Sequence, residues 1–325
     1  MDLSGPRGET LIDIPGTRAV KRICYRIWMR HSLRFRVATA ANSWLRRKFL
    51  TLQRALRERQ HTVRTLRLFG LLPAHKQLTV RPSDFFLVSY PKSGNTWLRF
   101  ILGNLKSTAA DPITFANLEA RVPSIYGVAN SDLLTLASQR ILKSHEPFQP
   151  EYPRVLYVVR DPRDVAVSYY HYQIRRRTLS EQVSLEHFVG EFVAGRTDAF
   201  GTWKRHVDSW LGARQNGANA VVIRYEDLLS RPVETLVPAL AELGFPASEE
   251  EVRKSVEISS VAKMRKAEAQ LGHRWTDGRT SRNDIPFVRS ATAGQWREQL
   301  NSSSVAQIQD AWGSTMSALG YDPGP

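Results

Sequence analysis

Asp84-Phe85-Phe86-Leu87-Val88-Ser89-Tyr90-Pro91-Lys92-Ser93-Gly94-Asn95-Thr96-Trp97 is the stretch on which the fold turns. From Asp84 to Tyr90 the apolar run is almost unbroken, the pattern of a strand buried on both faces, and Trp97-Leu98-Arg99-Phe100-Ile101-Leu102 opens a helix. Between strand and helix, a Ser-Gly-Asn-Thr loop offers consecutive backbone N–H groups and two hydroxyls to an anion, with Lys92 as a point charge. That is the chemistry of a phosphate cradle, although an ordinary strand-to-helix turn with an exposed Lys would read the same way. It is not a Walker A loop, because Lys92 precedes Gly94 instead of following a second glycine.

Further apolar runs lie outward from this unit. Arg140-Ile141-Leu142-Lys143, Val155-Leu156-Tyr157-Val158-Val159 and Ala220-Val221-Val222-Ile223-Arg224 read as strands. A helix is expected after Asp161-Pro162-Arg163-Asp164, running through Val165, Ser168 and Tyr172, and another begins near Glu226. Uninterrupted apolar strands alternating with helices predict an α/β fold, a three-layer sandwich around a central parallel sheet. Ligands of such sheets bind beyond the C-terminal strand ends, so the residues after each strand are the candidate site. Residues 267–287, rich in Gly, Arg, Asp and Ser, read as a long loop that could cover that site.

The chain has 325 residues, enough for two modules at roughly 150 residues each. Its formal net charge of +15 is unevenly placed. Residues 17–72 hold 15 Lys and Arg against Glu58 alone, a net +14, while the first 16 residues are slightly acidic and 73–325 are nearly neutral. Arg18, Arg22, Arg26, Arg30 and Arg34 recur at every fourth position beside Val20, Ile23, Ile27 and Trp28, and Leu45, Phe49, Leu52 and Leu56 repeat the theme among further Arg residues. This predicts a basic helical N-terminal extension over 1–72, followed by an α/β domain over 73–325. A solvated helical face would normally interleave acids, so an anionic membrane surface is weighed beside it, and an acidic protein or nucleic acid after that; for nucleic acid no binding is expected.

Cys24 is the only cysteine, which excludes an intramolecular disulfide and a Cys-rich zinc site and suits a reducing compartment. No cleavable leader and no apolar run of about 18 residues is found. The expectation is a cytoplasmic protein that could sit peripherally at a membrane.

Four separated motifs carry the chemistry. Beyond the Lys92 loop, Val159-Arg160-Asp161-Pro162-Arg163-Asp164 leads into a helix bearing Ser168, so a guanidinium at a strand end and a hydroxyl about two turns along can share a phosphate. Leu142-Lys143-Ser144-His145-Glu146-Pro147 puts an imidazole beside a Lys at another strand end, where a group titrating near neutrality can take a proton from a hydroxyl. Phe287-Val288-Arg289-Ser290-Ala291-Thr292-Ala293-Gly294-Gln295-Trp296 follows near the C-terminus.

In this order, over about Asp84 to Trp296, the motifs resemble the cytosolic-type sulfotransferases that use 3′-phosphoadenosine 5′-phosphosulfate (PAPS). The resemblance implies a P-loop NTPase-like sulfotransferase fold, with Lys92 on the 5′-phosphosulfate, Ser93, Gly94, Asn95 and Thr96 around phosphate, and Trp97 near adenine. It further implies Arg160, Ser168 and Arg289 on the 3′-phosphate, with Ser290 and Ala291 in the same segment, and Tyr225 and Ser259 on the adenosine side. His145 would be the general base, with Lys92 and Lys143 stabilising charge, in an in-line sulfuryl transfer to a hydroxyl or amine of a small-molecule or lipid acceptor, without a metal.

Several positions depart from the family pattern. Asn95 stands for Thr, Val261 for an aromatic wall, and Ser290-Ala291 for Lys-Gly, which removes one cation. The family's C-terminal dimer segment would fall at Arg297, Asn301, Ser302 and Ala306, and three of its four defining residues are missing, so that dimer is not expected. The alternatives are a nucleotide kinase of related architecture and a non-enzymatic protein that binds anions or membranes through 17–72.

Overall fold

The computed structural model describes residues 78–322 except 108–110, 127, 129, 137–138, 272–280, 283 and 290. The expected helical extension over 1–72, residues 272–280 and 283 of the expected loop, and Ser290 therefore lie outside the described residues.

Four strands form one parallel sheet: β1 (Phe85–Ser89), β2 (Ile141–Ser144), β3 (Val155–Val159) and β4 (Ala220–Arg224), in the order β2-β1-β3-β4. Phe86 aligns with Leu142 on one side and Val155 on the other, and Tyr157 with Val222. Period-2 alternation splits each strand between two cores. Phe86, Val88, Leu142, Tyr157 and Val159 face one side; Phe85, Leu87, Ile141, Leu156 and Val158 face the other.

The first face is covered by α4 (Pro162–Arg175), α5 (Leu185–Val193), α6 (Trp203–Gln215) and α12 (Ser302–Ala318), whose Val165, Phe188, Trp203, Trp210 and Trp312 fill it. Against the second pack α1 (Asn95–Leu105), α7 (Tyr225–Ser230), α8 (Pro232–Glu242) and α9 (Glu249–Ile258), through Leu98, Ile101, Leu228, Leu236 and Val252. The three-layer α/β sandwich is thus as the apolar runs predict. The short helices α2 (Leu118–Arg121) and α3 (Asn130–Thr135) lie between β1 and β2, and α10 (Val261–Leu271) and α11 (Trp296–Gln299) precede α12. Among the described residues, no helix is long and apolar enough to cross a membrane.

Local chemistry fixes the element ends. Asp161 caps α4 by accepting from the Arg163 N–H, with Pro162 at the first helical position, and Thr202 and Ser248 cap α6 and α9 in the same way. Strand β2 starts one residue later than its apolar run, because Arg140 turns inward. Its guanidinium pairs with Asp84 (Nε to Oδ1 2.8 Å), both side chains fully buried, and also donates to the carbonyls of Leu133 and Thr79. Every contact that a buried pair requires is present, and it ties together the N-terminal ends of β1 and β2.

The first five residues of the expected 267–287 loop are instead helical, as the end of α10. Glu268 on that helix accepts from the backbone N–H groups of Phe287 (2.6 Å) and Val288 (3.0 Å), so a tertiary contact extends a run of good helix formers.

Candidate active site

All four strands end at the same edge of the sheet, and the order β2-β1-β3 makes the gap between β1 and β3 a topological switch point. Lys92, His145, Arg160 and Tyr225 each follow one of these ends.

After β1 the chain turns tightly. Lys92 has φ 69° and Gly94 φ 92°, both left-handed, and Gly94 is the N-cap of α1 without a side-chain cap, which leaves the first helical N–H groups for a ligand. A Cβ on Gly94 would lie 2.4 Å from Cδ2 of Tyr225, so the loop and that ring are in direct apposition. Ser93 is buried and its Oγ has no hydrogen-bond partner. Asn95 instead turns its amide inward, donating to Ser89 Oγ at 3.2 Å. The Lys92 ammonium sits 4.0 Å from the ring centroid of Tyr172 and 5.0 Å from that of Phe287.

Arg160 joins three segments. It donates to the Lys92 carbonyl (3.2 Å) and the Thr292 carbonyl (3.0 Å) while its guanidinium lies 4.5 Å over the Tyr225 ring. Asp164, four residues on, accepts from the N–H groups of Gly294 (2.7 Å) and Trp296 (3.1 Å), which fixes the C-terminal turn against α4. Arg289, half-buried, donates to Gln295 (2.6 Å), and burial together with the nearby Arg160 lowers its pKa. Ala291 stands with φ 54°, so the backbone keeps a left-handed turn that suits glycine, at a cost of about 1–3 kcal/mol. Ser168 is half-exposed on α4.

On the opposite side, the Trp97 indole donates to the Ser259 carbonyl (3.0 Å) and meets Tyr225 edge to face at 6.4 Å. The Ser259 hydroxyl itself is fully buried and accepts from Asn104 (2.9 Å). Ser259 thus orients Trp97, and its side chain points into the protein. Val261 packs beside the apolar cluster of Phe100, Phe115 and Met264.

His145 follows β2 and is held at three points. Its backbone N–H donates to the Tyr126 hydroxyl (2.7 Å), its carbonyl lies 2.9 Å from Nε2 of His206, and its Nδ1 lies 2.7 Å from the Ser89 carbonyl. A carbonyl only accepts, so Nδ1 carries the hydrogen and the neutral ring keeps its lone pair on Nε2. Burial and Lys143 hold its pKa well below the usual imidazole value. Lys143 is itself lowered to about 7, by burial first and then by Arg99. Its ammonium lies 4.9 Å from the Tyr126 ring centroid, and Tyr126 and Phe200 flank the imidazole at 6.3 and 5.6 Å.

A family model described as a sulfotransferase domain matches residues 82–320, well over half of the chain. The chain belongs to the sulfotransferase family. Sulfotransferase 1B1 of Mus musculus is 28% identical over 251 residues, covering 73% of this chain and 83% of the relative. Sulfotransferase 1E1 of Bos taurus is 29% identical over 241 residues, covering 69% and 80%. Among solved structures, retinol dehydratase in complex with androsterone and the inactive cofactor PAP matches with a TM-score of 0.61 at 21% identity, over 74% of this chain and 82% of that one. Mouse sulfotransferase SULT7A1 complexed with PAP matches with 0.58 at 24% identity, over 74% and 86%. At these identities the two structures speak for the fold.

The sulfotransferase donor, PAPS, suits the residues that are present. An orphaned, buried Ser93 hydroxyl, first-turn N–H groups of α1 that no side chain caps, and two neighbouring guanidiniums, Arg160 and Arg289, fit an anion. Sequence reading missed Asp164, Tyr126, Phe200, Tyr172 and Glu268 as parts of the site. Asp164 lies inside the motif that follows β3, but its partners are backbone groups 130 residues away, which leave no local signal.

Proposed function

We propose that this sulfotransferase transfers a sulfuryl group from PAPS to a hydroxyl or amine of a small molecule, with Nε2 of His145 as the general base. The hydrogen bond from Nδ1 to the Ser89 carbonyl carries this reading, since it leaves Nε2 as the acceptor nitrogen. PAPS, when bound, supplies a sulfuryl group already activated by its link to phosphate. Lys92, the Ser93–Trp97 loop, Arg160, Ser168, Arg289 and Tyr225 would hold it. Lys92 and Lys143 supply positive charge on the side facing His145, and Nε2 receives the acceptor's proton.

Tyr126, 39% exposed, together with Phe200, Tyr172 and Phe287, gives this end of the sheet aromatic walls, which favours a flat, largely apolar acceptor. The androsterone and retinol named with the retinol dehydratase structures are alcohols of that kind. We also assign the enzyme to the cytoplasm, with the +14 of residues 17–72 directed to an anionic membrane surface; loss of liposome binding on their deletion is the expected result. The family's C-terminal dimer is not part of this reading, because three of the four defining residues of its segment are missing at Arg297, Asn301, Ser302 and Ala306. Family membership decides against the nucleotide kinase alternative.

A thermal-shift titration tests donor recognition. Adenosine 3′,5′-bisphosphate at 100 times its Kd should stabilise the fold by about 2.7 kcal/mol, a rise in Tm of roughly 5–10 °C. ATP at the same concentration should give a smaller rise, and an equal or larger one would overturn the assignment of Arg160 and Arg289 to a 3′-phosphate.

A further inference from the structure

Beyond its end at Ser144, β2 leaves the ladder, and the next backbone carbonyls, those of His145 and Glu146, have no strand to pair with. Both are met by side chains of α6. His206 Nε2 lies 2.9 Å from the His145 carbonyl, and Trp210 Nε1 donates to the Glu146 carbonyl at 3.1 Å. His206 and Trp210 are four residues apart and so project from one helix face. Between them Ser209 Oγ accepts from the Phe148 N–H at 3.0 Å. Helix α6 therefore grips the segment that carries the base at three points.

His206 is itself oriented. It is fully buried, its ring lies over that of Tyr157 (5.7 Å, 26°), and its Nδ1 is 2.9 Å from the Tyr157 hydroxyl. Nε2 faces a carbonyl and must be the N–H; Nδ1 therefore accepts from Tyr157. Burial lowers the His206 pKa to about 4, so the ring stays neutral, with this tautomer, across the range in which His145 has to work.

We propose that His206, set by Tyr157, is a positioning residue for catalysis: its Nε2–H holds the His145 carbonyl and thereby fixes where the His145 imidazole stands. This rests on His145 as the base. The ring is anchored at Nδ1 to β1, its main chain at the carbonyl to His206 and at the N–H to Tyr126, so that losing the His206 contact, with α6 still held to Glu146 and Phe148, loosens the imidazole while the donor loop after β1 is untouched. A misplacement of about 1 Å costs on the order of 100-fold in rate, and with two anchors left a smaller loss is expected.

The test compares His206→Leu, His206→Gln and Tyr157→Phe by steady-state kinetics, with bisphosphate-induced thermal shift as the check on folding and donor binding. In His206→Leu, kcat should fall about 10- to 30-fold with KM for PAPS within about twofold of the parent. His206→Gln, which keeps an N–H in reach of the carbonyl, should recover to within about fivefold, and Tyr157→Phe should fall between. In a His145→Ala background, His206→Leu should cause no further loss, as expected of residues acting as one unit. A His206→Leu kcat within twofold of the parent, or equal losses in the Leu and Gln variants, overturns the proposal. If His206→Leu does not fold, an unchanged kcat in Tyr157→Phe overturns it instead. Near-normal turnover by His145→Ala alone would overturn the base assignment, which separates that failure from this one.

Discussion

Replacing His145 by Ala is expected to lower kcat by about 10²- to 10⁴-fold, the range for removal of a positioned general base, while leaving bisphosphate affinity within a few-fold. The separation follows from the geometry. The imidazole hangs from β2 and meets β1 through the Ser89 carbonyl, whereas the donor loop begins beyond Ser89 and is braced by Arg160 and Tyr225. The pH dependence has a definite sign. Burial and Lys143 depress the His145 pKa, so the ring is neutral and competent at pH 7, and activity should be lost only as pH falls well below 6.5. Lys143 must be charged to stabilise anionic oxygens, and its pKa of about 7 puts an alkaline limb near neutrality in the free enzyme. A profile of kcat/KM for PAPS against pH should show both limbs, and Lys143→Arg should remove the alkaline one, because a guanidinium does not deprotonate in this range. Near-normal turnover by His145→Ala, or an alkaline limb unmoved in Lys143→Arg, would contradict the respective assignments.

Strands and their ends were the legible part of this sequence. Buried parallel strands read as continuous apolar runs, and a ligand site at their C-terminal ends follows from topology, so Lys92, His145, Arg160 and Tyr225 could be placed together from the sequence alone. What could not be read were the groups that hold those residues still. His206, Asp164 and Glu268 act on backbone atoms 61, 130 and 19 residues away, and a carbonyl or N–H has no identity in the sequence. Ser259 shows the converse limit. Its motif is recognisable, yet the hydroxyl serves Asn104, and only the carbonyl reaches the site, through Trp97. At Ala291 the residue departs from the family pattern while the backbone keeps the turn.

Gly94→Ala carries the other large effect, and it arises twice from one atom. At φ 92° an L-residue is strained, which costs about 1–3 kcal/mol. The added methyl would also stand 2.4 and 2.6 Å from Cδ2 and Cε2 of Tyr225, and overpacking of this kind costs about 1–3 kcal/mol more. Tyr225 cannot yield freely, since Arg160 lies over its ring and Trp97 meets it edge-on. If the ring moves, the Arg160 guanidinium loses its platform, and Arg160 holds both the Lys92 carbonyl and the Thr292 turn. The variant should therefore melt at least about 5 °C lower, given roughly 2–4 °C per kcal/mol for a domain of this size, and should lose most of its bisphosphate-induced shift. Gly212→Ala is the control: it lies within α6, where an added methyl would meet nothing within 4 Å, and it has no left-handed φ, so helix propensity alone should leave it as stable as the parent or up to about 1 kcal/mol more so. Equal behaviour of the two variants would mean that neither the turn nor the Tyr225 contact constrains position 94, and the donor cradle would have to be drawn elsewhere.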